Sequence, residues 1–302
     1  MANVYPVENA KEGIIRSLAG SKSWLMQLES KADVRGLDAN INVGTNNYTV
    51  IDQATANAIV DKSSTSVVAD SGKRHTVSAT TKTFYQPVKY HDFEVTAMLQ
   101  NDTLGATVQK DIKVQTDAVL LSITKALIEG LSDGTLTKTV SLGTGMTNFT
   151  AGTEANQIKN MEKFGSVLGS VAADNNGNLP DWVVAHPTAW GNISGYAQNA
   201  NARVTPNPNG ETTFFVRGVP FHSVGIGTST KWGAASKPCV FMGCDRHIIF
   251  AIRNVVGGEY LELQSATGLW TLPILIEATY GLDFTSSTGL ALGIGEVVNP
   301  AT

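Results

Sequence analysis

Between Val108 and Gly130 the chain reads VQKDIKVQTDAVLLSITKALIEG, with no Pro and no internal Gly. Val108, Ile112, Val119, Ile123 and Leu127 recur at close to whole helical turns, which predicts one long amphipathic helix. With Thr107 as N-cap, Ser132 near its end and Asp133-Gly134 as the stop, such a helix would be about 39 Å long at ~1.5 Å per residue, well above the globular average.

The rest of the chain has a different texture. Near the start, NAKEGIIRSLAGSKSWLMQLES can place Ile14, Leu18, Leu25 and Leu28 on one helical face despite Gly20, and the sequence then turns polar as far as about 48. From 49 to 95 it is rich in Thr, Ser and Val, with two alternating runs on either side of Asp70-Ser71-Gly72-Lys73. That pattern predicts a long β-hairpin. Beyond 150 it predicts a helix over Glu154 to Ala173, a strand WVVAH ended by Pro187, a helix from Thr188, and short strands separated by Gly-rich turns. LPILIEATYGLDFTSSTGLALGIGE closes the chain as two apolar strands joined by a polar turn. There is no internal repeat.

Composition narrows the function classes. At 302 residues and 42% hydrophobic content the chain can bury the cores of one or two domains. Its 22 basic residues stand against 26 acidic ones, so the basic excess that displaces counterions from nucleic-acid phosphates is missing. No apolar run has the length of a membrane span or a signal-peptide core, so neither is expected. Cys239 and Cys244 read as reduced, buried thiols, which fits a reducing cytoplasmic origin.

The chain contains no phosphate loop, zinc-protease motif, nucleophile elbow or dinucleotide fingerprint. Cys244 and His247 lack the further ligands that zinc requires. DNNGN, Asp174 to Asn178, lacks the alternating acids and closing Glu of a calcium loop. Asn47, Asn148 and Asn192 match the glycosylation pattern, which carries little weight without a secretory signal. No catalytic, cofactor or metal site is expected, and an enzyme has no constellation to stand on.

A polar hairpin of this length buries little by itself, and isolated two-stranded hairpins are marginal in water. Together with the N-terminal arm it predicts segments that lean on neighbouring copies, as in a large symmetric assembly. The order of parts is then informative. It comprises an arm, a long hairpin, YQPVKYHDFEVTAMLQNDTLG, a single long helix, WVVAHPTAWGNI, GVPFHSV, DRHIIFAIRNVVGGEYLEL and IEATYGLDFTSSTGLALGI. In layout and segment character it resembles, over nearly the whole chain, the major capsid protein of tailed bacteriophages with the Hong Kong ninety-seven-type fold.

The resemblance implies an α+β fold with an N-terminal arm (1–48), an extended hairpin loop (49–95) and a peripheral domain (96–179) whose spine helix runs from about 107 to 132. An axial domain (180–235) and return strands (236–302) complete it. Val119 and Ile123 should then face the peripheral-domain sheet. It also implies hexamers and pentamers in an icosahedral head around double-stranded DNA that is held without sequence preference. Assembly would take place in the bacterial cytoplasm, with a portal and a decoration protein as possible partners and no membrane. Only about 100 residues precede the spine, which implies a separate scaffolding protein. Lys62, Lys73 and Lys82 match a crosslinking loop lysine in type alone. Lys62, Lys73, Arg74 and Lys82 are the expected inter-subunit contact residues, since residues 61–89 carry five bases against Asp61 and Asp70, a formal +3. The whole chain is −4, which leaves −7 elsewhere. An encapsulin-type compartment shell of the same fold is the alternative, and neighbouring genes would separate the two.

Overall fold

The computed structural model describes residues 4–7, 10–21, 23–29, 44–51, 74–134, 136–142, 154–175, 177–199, 213–216, 218–264, 266–283 and 291–300. In chain order its elements are β1 (Val4–Pro6), α1 (Ala10–Ala19), α2 (Trp24–Glu29), β2 (Gly44–Ile51), β3 (Arg74–Tyr85), β4 (Val88–His91), α3 (Asp92–Gln100) and α4 (Leu104–Asp133). There follow β5 (Leu136–Ser141), α5 (Glu154–Asp174), β6 (Trp182–Ala185), α6 (Pro187–Asn199), β7 (Thr213–Val216), β8 (Val219–Ser223) and β9 (Pro238–Gly243). The last are β10 (Ile248–Gly257), β11 (Tyr260–Gln264), β12 (Leu269–Leu272), β13 (Ile274–Leu282) and β14 (Ala291–Val298).

The long helix α4 has 30 residues, about 45 Å at ~1.5 Å per residue. It starts a turn earlier than the apolar period indicates, because Thr103 and not Thr107 is its N-cap and the Thr107 amide donates to the Thr103 carbonyl at 3.0 Å. Gly105 weakens that first turn, while the half-buried Leu104 beside it packs against the main core. Gly134 ends the helix as expected. Val108, Ile112, Val119, Leu120, Ile123, Leu127, Ile128 and Leu131 are all buried. Thr116 and Thr124, buried among them, satisfy their hydroxyls on the Ile112 and Leu120 carbonyls, as a polar group out of water requires.

Strand β13 lies against α4 within a four-stranded sheet of order β10-β13-β3-β2. Ile248, Phe250, Ile274, Ile276 and Ala278 join Val119 and Ile123 in one core. A second four-stranded sheet, β1-β11-β12-β4, closes the same core through Leu261, Trp270, Leu272 and Tyr90. It is tied to the helices by Tyr90 Oη donating to Asp111 Oδ2 at 2.6 Å and Trp270 Nε1 donating to Asp92 Oδ1 at 2.9 Å.

The N-terminal pattern splits where Gly20 stands. The Gly20 and Ser21 amides close on the Arg16 and Leu18 carbonyls, and α2 starts afresh at Trp24. Ile14, Leu18, Leu25 and Leu28 nevertheless all enter the main core, so this described part of the arm packs on its own chain. Helix α1 passes so close to β10 that a Cβ on Gly257 would lie 2.6 Å from the Lys11 amide nitrogen, a separation only glycine allows.

The third sheet has six strands in the order β5-β14-β9-β6-β8-β7. Every residue of β6 is buried. Alternation explains why: Trp182 and Val184 enter the main core with Phe241, while Val183 and Ala185 enter a second core with Phe164, Leu168, Ile193, Val240 and Met242. A strand buried on both faces reads as an unbroken apolar run. Helix α5 covers the far face against β14 and β5, and Trp24 of α2 meets Trp182 edge-on, with ring centroids 5.2 Å apart, on the near one. The two closing strands do not pair with each other. β13 lies between β10 and β3, and β14 between β5 and β9.

Candidate assembly surfaces

Of the four residues expected at subunit contacts, Lys62 and Lys73 lie outside the described residues, as does the Asp70–Lys73 turn. Arg74 opens β3 and is paired through its backbone with Ile51. Lys82 is exposed on β3, with Nζ 5.4 Å from the centroid of the Phe84 ring. Strands β2 and β3 are antiparallel from Gly44↔Thr81 to Ile51↔Arg74, but β13 covers β3 only from Ala79 to Tyr85. Arg74 to Ser78 therefore run past β13 with β2 as their paired strand, roughly 17 Å of hairpin at ~3.3 Å per residue, although Val77 is still buried against Ile249 of β10.

Two apolar surfaces that the pattern did not single out are open to solvent. On the outward side of α4, Val114 is 60% and Leu121 45% exposed, between the exposed Lys110, Lys113 and Lys125. In α3 only Val95 is buried, although Phe93, Ala97, Met98 and Leu99 are also apolar, and Phe93 is 71% exposed. Apolar side chains of this size on a short helix are more often covered than exposed. That imbalance was the available signal.

The reactive groups are quiet. Burial pushes the Cys239 thiol up to about 12 and the Cys244 thiol up to about 11, so both stay protonated and un-nucleophilic at neutral pH. The Cys244 amide donates to His247 Nδ1 at 3.1 Å. Among the described residues no group of three or more His, Cys, Asp or Glu side chains could hold a metal ion, and no helix is long and apolar enough to cross a membrane.

His186 caps α6 from its buried place after β6. Its Nδ1 accepts the Thr188 amide at 3.2 Å, and Nε2 lies 3.2 Å from Thr228 Oγ1. Burial lowers its pKa from 6.5. The unfolded chain then binds the proton more readily than the fold, so this contribution is complete above pH 6.5 and is lost as pH falls through the folded pKa. The thermal midpoint should drop on acidification from about pH 7 to about pH 5, at up to ~1.4 kcal/mol per pH unit. His186→Asn, which keeps a capping acceptor but does not titrate, should lose that part of the slope. Identical slopes in the two proteins would assign the dependence to other groups.

No family model and no curated protein matches the sequence. Solved structures do match. The fold is similar to that of a capsid of Ralstonia phage GP4, with TM-score 0.54, 10% identity, and coverage of 86% of this chain and 85% of that one. A capsid of an empty GTA particle gives TM-score 0.53 at 11% identity, covering 87% of each chain. A chain from Mycobacterium phage Bobi gives TM-score 0.53 at 14% identity, covering 87% and 88%. The chain thus has, over most of its length, the α+β fold of the GP4 and GTA capsid structures and of the Bobi chain.

Proposed function

We propose that this chain is a major capsid protein, assembling through hexamers and pentamers into the icosahedral head of a tailed phage around its double-stranded DNA. The observation that carries this reading is the fold, shared along most of the chain with the GP4 and GTA capsids. Fold alone does not assign a function. The hairpin running past β13 adds a segment that finds no partner strand beyond β2 in its own described chain. In this reading α4 and the two four-stranded sheets form the peripheral part, and the six-stranded sheet with α5 and α6 forms the axial part. The packing of α5 on β14 and β5 supports, in this reading, a boundary near 136 where one at 180 was expected.

The finer partners belong to the same proposal. They are a separate scaffolding protein, a portal and a decoration protein, with DNA held non-specifically on the inner face and assembly in the host cytoplasm. Electron microscopy and light scattering of the full chain, alone and with the product of the gene upstream, should show rings or closed shells. A persistent 32.0 kDa monomer under every condition would overturn the reading.

A further inference from the structure

We propose that the outward ridge of α4, made by Lys110, Val114, Asp117, Leu121 and Lys125, docks an amphipathic helix of a different protein, one whose acidic residues flank an apolar centre.

The ridge follows from helical geometry. At about 100° per residue, these five side chains fall within roughly 80° of arc, while the buried Ile112, Val119 and Ile123 point the opposite way. Val114 is 60% and Leu121 45% exposed, and they stand two turns apart, the i, i+7 spacing at which one helix anchors another. Lys110 and Lys125 close the ridge at its two ends, about 22 Å apart at ~1.5 Å per residue. Ala118 and Ser122 beside it are small, and the Ser122 hydroxyl is satisfied on the Ala118 carbonyl at 3.0 Å, so a second helix can come close here.

The charges on the ridge specify what that helix carries. Among the described residues Lys110, and Lys113 next to it, have no ion pair. Lys125 Nζ lies 4.0 Å from Glu129 Oε1, with both side chains exposed, a loose pair that is worth little in water. Asp117 Oδ1 lies 3.5 Å from Ser21 Oγ, which leaves its charge in the middle of the ridge. The order along α4 is therefore basic, apolar, acidic, apolar, basic. Its complement is a helix that reads acidic, apolar, basic, apolar, acidic at the same spacing, and no described helix of this chain carries that order.

Two other occupants fit less well. A second copy of α4 laid parallel would set Lys110 against Lys110, and laid antiparallel would set Lys110 against Lys125, so like charges meet in either orientation. DNA would gain from the lysines, but its phosphates would meet Asp117, and Val114 and Leu121 offer a phosphate no hydrogen bond. A protein helix uses all five side chains, taking the two apolar ones out of water and pairing the three charged ones.

The test uses the full chain and two fluorescent helical peptides. One carries Glu, Leu, Lys, Leu and Glu at the spacing of the five ridge positions, and the other carries Lys, Leu, Glu, Leu and Lys. Anisotropy should show the first bound at least tenfold more tightly than the second. Lys110→Glu with Lys125→Glu should invert that preference, and Val114→Ser with Leu121→Ser should weaken the first peptide at least tenfold, with the thermal midpoint unmoved in both variants. No binding of either peptide, equal binding of both, or displacement of the first by short duplex DNA as readily as by its own unlabelled form would overturn the proposal. Dimerisation of the unmodified chain that Val114→Ser with Leu121→Ser abolishes would give the ridge to a second copy and overturn it as well. If a variant does not fold, the comparison of the two peptides on the unmodified chain decides alone.

Discussion

Ile123→Asp is expected to abolish soluble folded protein, and Val119→Asp to do the same. The two side chains are 1% and 0% exposed on the inner face of α4, among Phe250, Ile276 and Ala278. Among the described residues no Lys or Arg is buried that could pair with the new carboxylate. An unpaired charge there is removed from water without compensation, and the contacts of a packed aliphatic side chain are lost as well. The sum is several kcal/mol, against a total stability of about 5–15 kcal/mol. Lys113→Ala and Lys125→Ala are the controls on the exposed face of the same helix; each should stay within about 0.5 kcal/mol of the unmodified protein. Soluble yield and circular dichroism on heating measure all four. A folded, assembly-competent Ile123→Asp would mean that α4 presents a different face to the sheet.

What the sequence disclosed about α4 follows from how it folds. A 3.6-residue apolar period sustained over five turns has few other solutions, so its axis, its buried face and its stop at Gly134 were legible. Its start was not, because Gly105 resembles a breaker when the packing of Leu104 is unknown. Helix α5 was legible to within one residue at its end, Asp174 in place of Ala173. Gly20 divides a pattern that periodicity alone could carry across. β13 and β14 show the limit of strand patterns. Alternation reveals that a strand exists and which face is apolar, but partners come from the tertiary fold, and these two went to different sheets. Phe93 was opaque for a related reason, since nothing in its letter separates an exposed ring from a buried one. Only the packing of α3 does that, with Val95 buried and Met98 half-buried against the core while Phe93 stays outside.

Reversing the pair Lys73→Glu with Arg74→Glu should slow shell formation at least tenfold, and at low salt should abolish it, while the subunit stays folded. The charges of the hairpin and of the remainder, +3 and −7, are opposite, and complementary fields of this kind raise association rates by 10- to 1,000-fold. Because exposed charges are screened beyond ~10 Å in 0.1 M salt, assembly of the unmodified chain should slow as salt rises, and the reversed variant should respond in the opposite direction. A second role for the same two bases is compatible with the topology. Among the described residues Arg74 to Ser78 of β3 have no strand on the side away from β2, and charged side chains on such edges discourage pairing with the wrong chain. The two roles predict different kinetics. Steering makes the rate depend on the sign of the hairpin charge and on salt, whereas edge protection needs only some charge and is satisfied by Glu as well as by Lys. Scattering measured for both proteins at two salt concentrations separates them: equal rates at both would assign Lys73 and Arg74 to guarding the edge, and a sign-dependent, salt-sensitive difference would assign them to the approach of one subunit to the next.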